Sequence, residues 1–117
     1  MSIHSTIHLK MEIKMTKERF DQLANRIWDL ILKTRDDGQK EYARSEDDVH
    51  ANFKRCSDWM GDTPMKSMMY YMLKHIDGVV AYINGHKSQR EDVRGRLKDI
   101  IVYCLLMWAW VEDSERD

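Results

Sequence analysis

Two long stretches of this chain pair a helical apolar stripe with an opposite side that is not conventionally wet. In residues 64–84 the stripe runs Met65, Met68, Met69, Met72, Ile76, Val79, Val80, Ile83, and the other side carries Tyr70, Tyr71, Lys74, Gly78, Ala81 and Tyr82. An ordinary surface helix shows Lys and Glu there. In the last helix Val93, Leu97, Ile100, Ile101, Cys104, Trp108 and Val111 form the stripe, backed by Asp92, Arg96, Asp99, Tyr103 and Trp110. Aromatic rings interleaved with a few ionisable groups suit a pocket or a subunit interface better than bulk water.

The rest of the pattern divides cleanly. Ile7, Leu9, Met11, Ile13 and Met15 alternate with His8, Lys10, Glu12 and Lys14, a period of two that predicts a half-buried strand. No second strand follows, so its ladder needs a partner, and the same strand of another subunit supplies one. A first helix is expected over residues 16–35 with Phe20, Leu23, Ala24, Ile27, Leu30 and Ile31 inward, stopped by Gly38. A second starts at Ser45, where Ser45-x-x-Asp48 resembles a capping box, with Val49, Asn52, Phe53, Cys56 and Met60 as its stripe. Thr63-Pro64 opens the third, Asn84-Gly85 closes it, and Ser88 with Glu91 three residues on caps the fourth. The expected fold is therefore all-α: one domain over residues 1–117, with a strand and oligomerisation arm at 1–15, a four-helix core at 16–111 and a solvated tail at 112–117.

Composition narrows the function. At 117 residues the chain can bury a single core, and 43% hydrophobic with 33% charged residues is a folded mixture. A formal net charge of -1 gives no global attraction to duplex nucleic acid or an anionic membrane. No apolar run reaches the length of a membrane span. The first residues lack a secretory hydrophobic region, so Cys56 and Cys104 are expected as buried free thiols in a reducing cytoplasm. The nine methionines mostly line helix faces and read as deformable core packing.

Several residues could carry chemistry. Asn52, among apolar neighbours, must satisfy its amide against backbone or ligand. His75 sits at the edge of the third helix's stripe near Tyr71 and Tyr82, able to meet a phosphate oxygen or move a proton. Lys74 lies among aromatic and small residues, which suits an anion bearing a flat ring: ammonium to phosphate, tyrosines to the base, Gly78 for close approach. Asp99 shares a helix side with Asp92, Arg96 and Tyr103. Asp92 and Asp99 are two turns apart and could hold Mg²⁺ with substrate phosphates, or Arg96 could bridge them as ion pairs. Zinc-spaced cysteines and histidines, a glycine-rich phosphate loop and a nucleophile elbow are all missing.

The order Lys33-x-x-x-Asp37-Gly38, Asn52-Phe53, Lys74-His75, then an acidic stretch before Asp99-Ile-Ile-Val-Tyr103 resembles the nucleotide-modification-associated domain family of small phage and bacterial proteins. The scattered matches span residues 27–107. The family's usual aromatic between aspartate and glycine is replaced here by Asp36-Asp37-Gly38. The resemblance implies a compact helical protein connected with nucleotides, distantly similar to the all-α nucleoside triphosphate pyrophosphohydrolases of the MazG type. Those enzymes hold Mg²⁺ with a Glu-Glu-x-x-Glu motif, which this sequence lacks; its nearest acids, Glu46, Asp47 and Asp48, cluster at a helix start.

The leading expectation is a phage-type nucleotide-binding protein that sequesters a nucleotide signal without catalysis and without a cofactor, in a pocket at an interface of a homo-oligomer. Tyr71 and Tyr82 would stack a base, Lys74, His75 and Arg96 would meet phosphate, and Asn52 and Asp99 would read polar edges, with Tyr103 beside them. Two alternatives stand: a Mg²⁺-dependent MazG-like pyrophosphohydrolase using Asp92 and Asp99, and an inhibitor that binds a host enzyme through its strand edge.

Overall fold

The structure, a computed structural model, describes residues 14–87 and 90–116. Among these residues the chain is all-α, with helices α1 (Lys17–Gly38), α2 (Ala51–Met60), α3 (Pro64–Ile83) and α4 (Val93–Ser114), and a π-helical turn (Gln39–Ala43) following α1. The expected strand lies mainly outside the described residues; its last members, Lys14 and Met15, carry no regular structure. No helix among the described residues is long and apolar enough to cross a membrane.

The helix starts follow local chemistry. Thr16 caps α1, its hydroxyl accepting from the Arg19 N–H at 3.0 Å, and Thr63 caps α3 with Pro64 in the first turn. Gly61 (φ 66°) and Gly85 (φ 87°) take the left-handed conformation that lets the chain leave α2 and α3. Gly38 does not stop α1 as expected. It stays helical at φ -64°, and the helix runs on through the π turn to Arg44, whose φ of 52° ends it. The reason lies in side chains from elsewhere. Arg55 donates to the carbonyls of Tyr42 (2.6 Å) and Ala43 (3.0 Å), satisfying groups that a helix end leaves bare. Arg35 holds Gln39, which in turn donates to the Ser45 carbonyl at 2.5 Å.

Two further starts are displaced. Ser45 accepts from the backbone N–H groups of Asp47 and Asp48, but this closes a local turn and α2 begins only at Ala51. The fourth helix begins at Val93, where the Asp92 carboxylate accepts from the Arg94 N–H at 2.9 Å; the expected cap, Ser88, lies outside the described residues. It also extends to Ser114, into the expected tail.

The core joins Ile31, Phe53, Met68, Val102 and Leu106, with Met65, Leu105, Met107 and Trp110 around it. His50 ties α2 to α4: it is buried, its Nε2 lies 2.8 Å from the Leu106 carbonyl, and its ring meets Trp110 edge-on at 5.1 Å.

Which faces are buried differs from expectation. In α4 the covered positions include Arg96, Asp99, Val102, Tyr103, Leu106 and Trp110, while Leu97, Ile101, Cys104, Trp108 and Val111 of the expected stripe are exposed. In α3 the packed face is shifted about a quarter turn round the helix, onto Ser67, Met68 and His75. Both helices thus meet through their aromatic and ionisable sides. In α1 only Ile31 of the expected inward set is buried; Leu23 and Ala24 are half-buried, and Phe20, Ile27 and Leu30 are exposed. Among the described elements α1 packs only on α4 and the π turn. Val49 and Met60 of the second stripe are likewise exposed. Both cysteines are free thiols, but Cys56 is only half-buried and Cys104 is exposed.

Candidate functional site

The end of α1, the π turn, α2, α3 and α4 enclose a cleft of about 550 Å³. It is within the usual range for small-molecule sites. Asn52 from α2, Tyr71, Lys74 and His75 from α3, and Asp99 and Tyr103 from α4 all line it. Successive helical turns place Tyr71 and His75 (i, i+4), and likewise Asp99 and Tyr103, on the sides where α3 and α4 meet. Tyr82 and Arg96 line a neighbouring depression of about 640 Å³ by the α3–α4 connection, which shares Glu91 with the cleft. The cleft is built within one chain, so it needs no subunit interface to exist.

Its floor is aromatic. Tyr71 and Tyr103 lie parallel, 6.1 Å apart with 9° between their planes, and Phe53 meets both edge-on. Tyr71 is 42% exposed and offers the open ring of the stack. Its phenol is held above the usual value by the Cys56 thiol, 3.6 Å from the hydroxyl, and by partial burial. Tyr103 lies deeper, and burial with the nearby Asp99 charge pushes its phenol up to about 12.

One end of the cleft is a cluster of ionisable groups. His75 is only 8% exposed, with its ring 5.9 Å from that of Tyr103. Its Nε2 is 3.6 Å from an Asp99 carboxylate oxygen, and its Nδ1 is 4.0 Å from one of Glu91. The buried Nδ1 has no hydrogen-bond partner. Burial first, and Glu91 beside it, raise the Asp99 carboxyl above the ordinary range, against the pull of His75 and Lys98. Arg96 crosses α3 at Gly78, where a Cβ would overlap its side chain, and comes within 3.9 Å of Glu91. Gly78 thus admits this arginine, not a ligand. Lys74 and Lys98 lie along the cleft, as does Arg35, whose guanidinium is lowered by burial and engaged with Gln39.

The expected Mg²⁺ pair does not form as such. Asp92 caps α4, ion-pairs with Arg94 at 3.1 Å and points away from the cluster, whereas Asp99 sits within it. The acid that lies beside His75 and Asp99 is Glu91. Sequence reasoning assigned Glu91 to a capping box with Ser88, and no spacing signal marks it, because the segment before α4 brings it in from outside the helix. Arg35, Tyr42 and Lys98 were also missed. Lys98 alone had a cue, its place beside Asp99.

The fold and site define an all-α protein with a cleft that is aromatic on its floor and lined by Arg35, Lys74 and Lys98 as well as by the carboxylates of Asp37, Glu41, Glu91 and Asp99. No family model, curated protein or solved structure matches this chain.

Proposed function

We propose that this protein binds a nucleotide in the cleft and holds it intact, as a sequestering protein of the kind its resemblance to phage nucleotide-associated proteins implies. The observation that carries the reading is the parallel Tyr71–Tyr103 pair, open on the Tyr71 side and bordered by Lys74 and Lys98. An aromatic shelf takes a base whatever its identity, and flanking ammonium groups take phosphate. Asn52 on the same wall can pair with a base edge. Tyr82 and Arg96, in the neighbouring depression, serve a ligand long enough to pass Glu91. The pyrophosphohydrolase alternative has one observation in its favour, the convergence of His75, Glu91 and Asp99, and it predicts metal-dependent turnover in the same cleft.

Self-association belongs to the same reading, through the outer sides of α3 and α4. Leu97, Ile101, Cys104, Trp108 and Val111 alternate steps of four and three, as do Met69, Leu73, Ile76, Val80 and Ile83, which is the spacing of a helix-pairing seam. All but the half-buried Ile76 are exposed. A second copy offers the same two seams; a stable interface needs on the order of 800 Å² per copy.

Calorimetric titration with mononucleotides and cyclic dinucleotides tests the binding. Tyr71→Ala is expected to weaken the bound nucleotide roughly 5- to 150-fold, the loss of one base–aromatic stack, and Lys74→Ala to weaken it with a steeper dependence on phosphate number. Retention of full affinity by both variants refutes the placement. Light scattering tests the seam: a dimer or larger assembly is expected, and Leu73→Glu with Ile101→Glu should give a monomer.

A further inference from the structure

We infer that His75, Glu91 and Asp99 form a binding site for one divalent transition-metal ion. One ligand atom from each residue lies within 4.8 Å of the other two, on three separate pieces of chain: α3, the segment before α4, and α4 itself. A metal ligated at about 2.0–2.2 Å by imidazole nitrogen and carboxylate oxygen holds those atoms a little over 3 Å apart in a tetrahedral site. His75 meets Asp99 through Nε2 at 3.6 Å and Glu91 through Nδ1 at 4.0 Å; an ion takes only one of these nitrogens, so binding at Nδ1 requires the Asp99 carboxylate to swing in from its place beside Nε2.

The independent sign is the histidine. His75 is 8% exposed, and its Nδ1 has no hydrogen-bond partner and is shut off from solvent. Buried polar atoms are nearly always satisfied, and an orphaned one marks a role or a missing ion. That atom faces Glu91 across 4.0 Å, too far for a hydrogen bond and a little wider than the span between two ligands of one tetrahedral ion. Two carboxylates approach one another in a partly buried site, with Arg96 3.9 Å from Glu91. A divalent ion between them would offset their mutual repulsion.

The donor set selects the kind of ion. One imidazole with two carboxylates suits Zn²⁺, Mn²⁺ or Fe²⁺, whereas Mg²⁺ prefers oxygen ligands alone and keeps its water. The ion would lie at one end of the cleft, beside the tyrosine shelf. There it would make the carboxylate end attractive to phosphate. The metal site does not depend on the nucleotide reading, and its test uses metal alone.

Full-length protein, dialysed against a chelator, would be titrated with Zn²⁺ by calorimetry and with Mn²⁺ by electron paramagnetic resonance, with Mg²⁺ as comparison. One ion per chain is expected, bound at least tenfold tighter for Zn²⁺ and Mn²⁺ than for Mg²⁺. Glu91→Gln and Asp99→Asn keep size and shape, and each should weaken binding ten- to a hundredfold with the helical circular dichroism unchanged. His75→Gln should do the same and shift the preference toward Mg²⁺. The inference is overturned by no saturable binding to the wild-type protein. It is also overturned if Glu91→Gln and Asp99→Asn fold and bind as the wild type does, or if they destabilise the fold while the wild type binds no metal, which would make the cluster a structural ion pair.

Discussion

Gly78→Ala offers a sharp test of how α3 and α4 meet. Glycine inside a helix costs about 1 kcal/mol relative to alanine, so an unobstructed replacement should stabilise the protein by that amount. Here it is obstructed: a Cβ at Gly78 would lie closer than 3.0 Å to the Cδ, Nε and Cζ of Arg96. These are middle atoms of a half-buried side chain, and they can retreat only if Arg96 gives up its bed on α3 and its approach to Glu91. Overpacking of this kind costs about 1–3 kcal/mol. The net for Gly78→Ala is then a loss of about 0–2 kcal/mol. In the Arg96→Ala background the obstruction is gone, and the same change should raise stability by about 1 kcal/mol. The coupling between the two sites is thus about 1–3 kcal/mol, well above the scatter of independent sites. Urea unfolding of the four proteins, followed by circular dichroism and tryptophan fluorescence with coincident transitions, measures it. Equal effects of Gly78→Ala in both backgrounds would show that Arg96 does not cross α3 at this point, and the account of the helix pair would fail.

Three further outcomes follow from single features. His50→Phe keeps a ring against Trp110 but removes the 2.8 Å bond to the Leu106 carbonyl, and should cost about 1–3 kcal/mol in urea unfolding; no loss would contradict that link between α2 and α4. Arg44→Gly removes the strain of a left-handed non-glycine residue at φ 52° and should gain about 1 kcal/mol. In an ultraviolet pH titration Tyr103 should ionise last among the tyrosines, near 12, and Tyr103→Phe should remove that final step. Because the unfolded chain loses this proton near 10 and the folded chain near 12, the group's contribution to stability is complete below about 10 and is lost as pH rises towards 12.

Local signals were the readable part of the fold. Thr63, Pro64, Gly61 and Asn84-Gly85 act through their own hydroxyl, ring or backbone freedom, so the ends of α3 are where the sequence places them. The end of α1 is not, because Arg55 caps it from twelve residues away and no local pattern announces that contact. The buried faces of α3 and α4 were misjudged for a different reason. A hydrophobic stripe marks the side that avoids water, but it does not say which neighbour covers it. Here the two helices meet through Tyr71, His75, Asp99 and Tyr103, and leave Leu97, Ile101 and Trp108 outside. The same oddity made the cleft legible: ionisable and aromatic groups at helical spacing, without the lysines and glutamates of a wet face. Glu91 was not legible, since only the path of the chain before α4 carries it to His75.

Nucleotide retention is the most direct test of the central claim. The purified protein would be incubated with triphosphates, cyclic dinucleotides and cyclic ADP-ribose isomers, with and without divalent metal, and filtered. Chromatography of the filtrate, and of what heating releases from the retained protein, gives the answer. The account predicts that one nucleotide class disappears from the filtrate and returns chemically intact on heating, and that Tyr71→Ala reduces the retention. A new product in place of the starting nucleotide contradicts sequestration and favours the pyrophosphohydrolase, and a filtrate unchanged for every nucleotide contradicts the nucleotide site itself.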